Sequence, residues 1–332
     1  MRKYILQRLL WLIPVLFLIS LISYFLMYLS PGDPATILLS QNGEALDAQQ
    51  VEAMREELSL DDPAWKQYLN WIGGILLHGD FGTSIFTKQP VLTEIQTYFP
   101  FTVKLSVISM LLVLLISIPV GILAAVKENK AVDYVIRFLS FVANSLPGFF
   151  LALLLILLFG VKLQWLPVVS SNSSEGMVIP ALTLAICMSG SYIRQVRTAV
   201  VQELGEPYIA MARARGIKEH FILYKGALKS ALPALLTIAG MNFGHLLGGT
   251  AIIEMVCTFP GLGKLAVNSI TNRDYPLMQA YVLLMAVIYV VVNLVVDILH
   301  AYSDLRVKNR IIEEGKNKQH DKTTSAEQRG SA

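Results

Sequence analysis

The sequence predicts an all-α membrane protein with six transmembrane helices, cytoplasmic N- and C-termini, and a small extracytoplasmic helical cap between helices 1 and 2. Composition is the first observation behind this. Of 332 residues, 54% are hydrophobic and 15% charged, and the mean hydropathy is +0.55, whereas a soluble domain carries about a quarter charged residues. The second is block length: apolar stretches of the ~20 residues needed to cross a hydrocarbon core of about 30 Å recur near 9–29, 101–126, 135–159, 177–194, 232–257 and 277–301. The third is charge placement. Of the 27 Lys and Arg, 20 fall in segments 1–8, 127–137, 194–230 and 302–332, which this topology puts inside, as the positive-inside rule requires. These observations exclude a soluble core, a fibre, a disordered chain and a disulfide scaffold. A net charge of +3 gives no bulk attraction to nucleic acid.

The first helix, residues 1–30, follows Arg2, Lys3 and Arg8, and its apolar run is too long for a signal-peptide core and lacks a small-residue cleavage site. It reads as an uncleaved anchor. Residues 31–100 carry ten acids against Arg55, Lys66 and Lys88 and contain helical periodicity, which predicts a structured outer cap. One stripe is Val51, Met54 and Leu58; a second is Trp65, Tyr68, Leu69, Ile72 and Leu76, whose aromatics suit either packing onto the spans or a membrane interface. Residues 101–305 form the core of five further spans, with a long inner loop at 194–231. The tail, 306–332, is polar and mixed in charge and is expected to be unstructured. Pro119, Pro147 and Pro180 sit in or at the ends of spans, with kinks expected at the first two. Gly240, Gly244 and Gly248 recur every four residues, a small-xxx-small face for close helix packing.

Little in the chain suggests catalysis. The nearest approach to a phosphate-binding loop is Gly261-Leu262-Gly263-Lys264-Leu265, but Thr258 and Leu265 stand where that loop needs Gly and Ser or Thr. No nucleotide or other cofactor is expected on this chain. The histidines at 78, 220, 245, 300 and 320 show no paired ligand spacing, Cys187 and Cys257 make no case for a disulfide, and no residue is assigned as a metal ligand. Polar groups at membrane depth are functional candidates by default: Met241, Asn242 and His245, then Glu254 near the outer end of the fifth span, and Asn293 and Asp297 in the sixth. Met241 and His245 share a helix face, and Glu254 points to the opposite side. Bundle hydrogen bonding for His245 and helix capping for Asp297 are the commoner roles. The first four are taken as the substrate pathway.

The inner loop runs Glu206-Pro207-Tyr208-Ile209-Ala210-Met211-Ala212-Arg213-Ala214-Arg215-Gly216-Ile217, with Ala231-Leu232-Pro233 beyond it. Physically it is a short helix with small residues at 210, 212 and 214, ended by a glycine suited to a left-handed cap. It resembles the cytoplasmic EAA loop of ABC importer permeases, although Ala210 replaces the motif's Glu and Leu232-Pro233 lies farther from Gly216 than usual. Those departures resemble the peptide, oligopeptide and nickel importers. So do Pro31-Gly32-Asp33-Pro34, Leu58-Ser59-Leu60-Asp61-Asp62-Pro63 with Gln67-Tyr68, Gly79-Asp80-Phe81-Gly82-Thr83-Ser84, Phe259-Pro260-Gly261-Leu262-Gly263 and Arg273-Asp274-Tyr275-Pro276. Leu163-Gln164-Trp165-Leu166-Pro167 and the run from Gly244 to Glu254 look most like the nickel-import permeases.

The resemblance implies a non-enzymatic permease subunit in a bacterial inner membrane, importing nickel or a related metal chelate, with di- or oligopeptides as the alternative cargo. It further implies a second homologous permease, two ATPase subunits that bind ATP and magnesium, and an extracytoplasmic substrate-binding protein. Coupling to the ATPase would run through Tyr208, Ala210, Ala212, Arg213, Ala214 and Gly216. A membrane scaffold and a secondary transporter are the rivals from other classes. The single coupling-type loop and the scarcity of midspan carboxylates count against the latter.

Overall fold

Leucine-rich runs without β-branched alternation dictate helices, and the computed structural model is helical throughout. It describes residues 2–29, 33, 35–36, 39, 47–57, 60–170 and 173–303. The expected tail at 306–332 lies outside these residues, as does Leu58 of the first cap stripe. Among the described residues the sole β feature is an isolated antiparallel bridge between Thr83 and Pro90.

In chain order the helices are α1 (Arg2–Tyr28), α2 (Ala48–Glu57), α3 (Ala64–Gly73, continued by a wider π turn Gly74–His78), α4 (Val91–Val126) and α5 (Ala131–Ser145). Then come α6 (Gly148–Lys162), α7 (Val178–Leu204), α8 (Pro207–Ala214), α9 (Glu219–Gly249), α10 (Ala251–Val256), α11 (Leu262–Thr271) and α12 (Tyr275–Ser303). By length and hydropathy α4, α9 and α12 can each cross a bilayer, and α5 with α6 supplies a fourth crossing if the pair counts as one. α1 contributes a shorter apolar stretch, Ile13–Tyr28.

Three expectations change. The second span starts at Val91, inside the segment assigned to the cap, and its 36 residues run unbroken through Pro100 and Pro119. At ~1.5 Å per residue this helix is about 54 Å long, so it extends well beyond a bilayer core. The third span is not one helix over 135–159: α5 and α6 meet at 97°. Pro147 explains the break, because it lacks an N–H and forces Leu146 into an extended conformation (φ −75°, ψ 129°). The fifth is also interrupted, with α9 ending at Gly249 and α10 starting at Ala251.

Hydrocarbon surrounds helix bundles without driving them together, so close van der Waals approach has to hold them. α7 packs along α4 and α5, and glycines set the spacing. A Cβ at Gly121 would lie 2.7 Å from Val196 Cβ, and one at Gly190 would overlap the Ser140 carbonyl. The central core joins Leu105, Val113, Leu184, Tyr192, Val196 and Phe259, and the buried Tyr192 hydroxyl donates to the Leu235 carbonyl at 2.8 Å. At the start of α5, Asp133 is fully buried and takes two bonds from Arg197 of α7, both 2.7 Å, plus the Asn129 N–H at 3.0 Å. α12 closes the bundle against α9: a Cβ at Gly240 would overlap Val296, and one at Gly244 would touch Tyr289 at 3.4 Å. Gly248, expected on the same face, has nothing within 4 Å. The packing face thus ends one turn earlier than its spacing suggests.

Candidate coupling and pathway sites

α8 is built to stand proud of the bundle. Glu206 is extended, Pro207 occupies the first helical position with its preset φ, and Gly216 at φ 75° ends the helix. The Ile217 N–H reaches the Ala212 carbonyl at 3.2 Å and the Gly216 N–H the Arg213 carbonyl at 2.9 Å, the paired bonds of a Schellman stop. One residue anchors it: Ile209 is 1% exposed and packs with Ile222 and Ala227. A Cβ at Gly226 would come within 3.4 Å of Ile209 Cδ1, so that glycine makes room for the anchor.

The remaining residues divide. Tyr208, Ala210, Ala214 and Gly216 are exposed, and the exposed apolar Met211 and Ile217 join them. Ala212 is half-buried and packs inward on the Ile209 cluster. Arg213 is turned back to Glu219, with Nε donating to Oε1 at 2.8 Å, and that bond raises the guanidinium pKa further. The Tyr208 hydroxyl donates to Glu203 at 2.9 Å; burial is the main cause pushing its pKa up. Of the six residues expected to couple, Ala212 packs inward and Arg213 makes a solvent-exposed pair with Glu219, while the other four are exposed. Met211 and Ile217, apolar residues in a charged loop, were not among the six expected there.

The pathway residues do not form one cluster. On α9, Met241 is 48% exposed and Asn242 half-buried; Asn293 of α12 is half-buried. The side chains of His245 and Asp297 lie outside the described residues. Glu254 is elsewhere in function as well as position. It lies on α10 beyond the break at Thr250 and is 0% exposed. Its carboxylate accepts the Thr102 hydroxyl at 2.8 Å and the Lys264 N–H at 3.0 Å, while Thr102 Oγ1 accepts the Leu262 N–H at 2.7 Å. Two first-turn N–H groups of α11 are thereby satisfied by an acid and its partner from other helices, the favourable placement for negative charge. Gly261 and Gly263 are needed there, because a Cβ on either would overlap Glu254 or Ala251. Glu254 is a buried clamp between α4, α10 and α11, not an open pathway ligand.

A second clamp holds the loop before α4. Buried Asp274, just before α12, accepts the Ser84 hydroxyl and the backbone N–H groups of Ile85 at 3.1 Å and Phe86 at 3.4 Å. Two motifs noted separately in the sequence, ending in Ser84 and holding Asp274, are thus two halves of one joint. No group of three or more His, Cys, Asp or Glu able to hold a metal occurs among the described residues.

A helical bundle with an exposed, glycine-stopped helix matches known proteins. A family model described as the binding-protein-dependent transport system inner membrane component matches residues 117–309, and its N-terminal companion matches 1–106. The chain belongs to this family. It is an ABC importer permease, a multi-pass component of the inner membrane that works with an ATPase and a substrate-binding protein. The glutathione transport system permease protein GsiC of Escherichia coli (strain K12) is 38% identical over 301 residues, covering 91% of this chain and 97% of that protein. Its Salmonella typhi counterpart is 39% identical with the same coverage. Two inward-facing structures of the MetNI methionine ABC transporter share the fold at 18% and 19% identity, with TM-scores of 0.55 and 0.54. Each covers 64% of this chain, and 98% and 97% of its own. The relatives are named for glutathione, and the resemblance to nickel permeases finds no counterpart in them.

Proposed function

We propose that this permease imports short peptides of glutathione size, and that the peptide alternative replaces nickel as the cargo. The observation that carries this is the 38% identity to a glutathione permease along 91% of the chain. The resemblance to nickel permeases lay in Leu163-Gln164-Trp165-Leu166-Pro167 and the run from Gly244 to Glu254, and the one carboxylate of that run is consumed by Thr102 and Lys264. In this reading the assembly holds a second homologous permease, two ATPase subunits carrying ATP and magnesium, and an extracytoplasmic binding protein. α1 and α7 complete six crossings, with both termini inside, and 306–332 is a cytoplasmic tail. Met241, Asn242 and His245 are the pathway candidates, and no metal or nucleotide is held by this chain.

Uptake of labelled glutathione, a labelled dipeptide and labelled nickel, measured in cells with the permease gene deleted and then restored, separates the cargoes. Peptide uptake should fall on deletion, return on restoration and be competed by unlabelled peptide but not by nickel. Nickel uptake that alone follows the gene would return the cargo to metal.

The coupling role rests on α8. The exposed Tyr208, Ala210, Met211, Ala214 and Ile217 form a small-residue and apolar face suited to a groove on the ATPase. Gly216→Val puts a β-branched residue at φ 75°, at a cost of about 1–3 kcal/mol, concentrated where the helix must stop. We expect ATPase activity in the assembled transporter to lose its response to loaded binding protein, with uptake falling in parallel at unchanged expression. Normal uptake by that variant would remove α8 from coupling.

A further inference from the structure

We propose that α3 is embedded in the outer leaflet as an interfacial helix, its exposed face bedded in phospholipid acyl chains, and is not part of an aqueous cap. Its depth is set by α1. The Tyr68 hydroxyl shares a 2.8 Å hydrogen bond with Ser20, the Tyr24 hydroxyl donates to Gln67 at 3.3 Å, and the Tyr68 ring meets Phe17 and Tyr24 edge-on at 6.2 and 5.4 Å. Ser20 precedes the end of α1 at Tyr28 by eight residues, or about 12 Å at ~1.5 Å per residue. Tyr24 precedes it by about 6 Å on the same rise. Measured from the end of α1, α3 therefore crosses at about 6–12 Å, which overlaps the depth of about 5–10 Å at which amphipathic helices lie.

The faces of α3 agree with that depth. Tyr68 is 3% exposed against α1. One turn around, Trp65 and Leu69 are 61% and 55% exposed, and Leu76 and Leu77 in the following π turn are 76% and 79% exposed. Lys66 lies on another face and pairs with Asp62 at 2.8 Å, and exposed Asn70 lies beside it. Tryptophan at the edge of such a face is the residue type that membrane interfaces favour. The inference rests on the inside N-terminus of the proposed topology for the word "outer", and on the geometry alone for depth.

The test uses the assembled transporter in phospholipid vesicles, with spin labels on Leu69→Cys, Leu76→Cys, Lys66→Cys and Asn70→Cys. The background from Cys187 and Cys257 is read from the unsubstituted protein. Collision with oxygen should dominate at 69 and 76 and collision with a water-soluble nickel chelate at 66 and 70, so that the ratio inverts around the helix. Chelate access at all four sites would overturn the proposal by placing α3 in water. Exclusion of both reagents at 69 and 76 would overturn it by showing a protein partner on that face. An impermeant maleimide should label Asn70→Cys in intact spheroplasts; labelling only in inside-out vesicles would defeat the topology while leaving the depth pattern readable.

Discussion

Glu254→Ala is expected to destabilise the assembled permease by about 3–6 kcal/mol, the sum of two hydrogen bonds to a charged group at ~1.5–3 kcal/mol each. The variant strands the Lys264 N–H at the start of α11 and the Thr102 hydroxyl, both held by the carboxylate in a site with no exposure. Thermal unfolding of the detergent-solubilised transporter reads the loss, and an unchanged midpoint would show that the clamp contributes nothing. Glu254→Gln should cost less, because it keeps one accepting oxygen. A double-mutant cycle sharpens the test. Gly261→Ala is severe in the parent because its methyl overlaps the Glu254 carboxylate, so its penalty should shrink once Glu254 is alanine. Additive losses would mean that the two residues act independently.

Breaking the Asp133–Arg197 pair should have a similar effect at the other end of the bundle. Asp133 is fully buried, and the Arg197 side chain is 16% exposed. Removing Asp133 leaves Arg197 with only its longer 3.5 Å contact to half-exposed Glu128, and losing one partner of a buried pair typically costs about 3–5 kcal/mol, whereas replacing both by apolar residues is often close to neutral. Asp133→Ala is therefore expected to lower the midpoint strongly, and Asp133→Leu with Arg197→Met to recover most of it. If the double variant is as unstable as the single one, packing at the α5–α7 contact outweighs the charges.

These clamps also show what local pattern could and could not convey. The helical class, the apolar blocks and the left-handed stop at Gly216 are properties of composition, run length and residue type, so they were legible. The bend at Pro147 was legible as a kink but not as a turn of 97°, since proline removes an N–H without setting the direction in which the neighbours hold the next helix. Of the three glycines at four-residue spacing, Gly240 and Gly244 meet α12 and Gly248 meets nothing. Spacing specifies a face and not how far a partner extends along it. The pairing of Arg213 with Glu219, across the glycine stop, was likewise not legible, since the turn that brings them together is set by the loop's fold.

The sequence by itself determined that this chain is a helical membrane protein with a short glycine-stopped helix between two spans, because hydropathy and turn residues act through near neighbours. Only the tertiary structure decided that Glu254 is a capping clamp, that Ser84 and Asp274 form one joint, and that Tyr68 ties α3 to Ser20 of α1. Each joins residues 152, 190 and 48 positions apart. Such pairings depend on how whole helices are laid side by side, and an acid destined for a buried cap has the same local surroundings in sequence as one that lines a pathway.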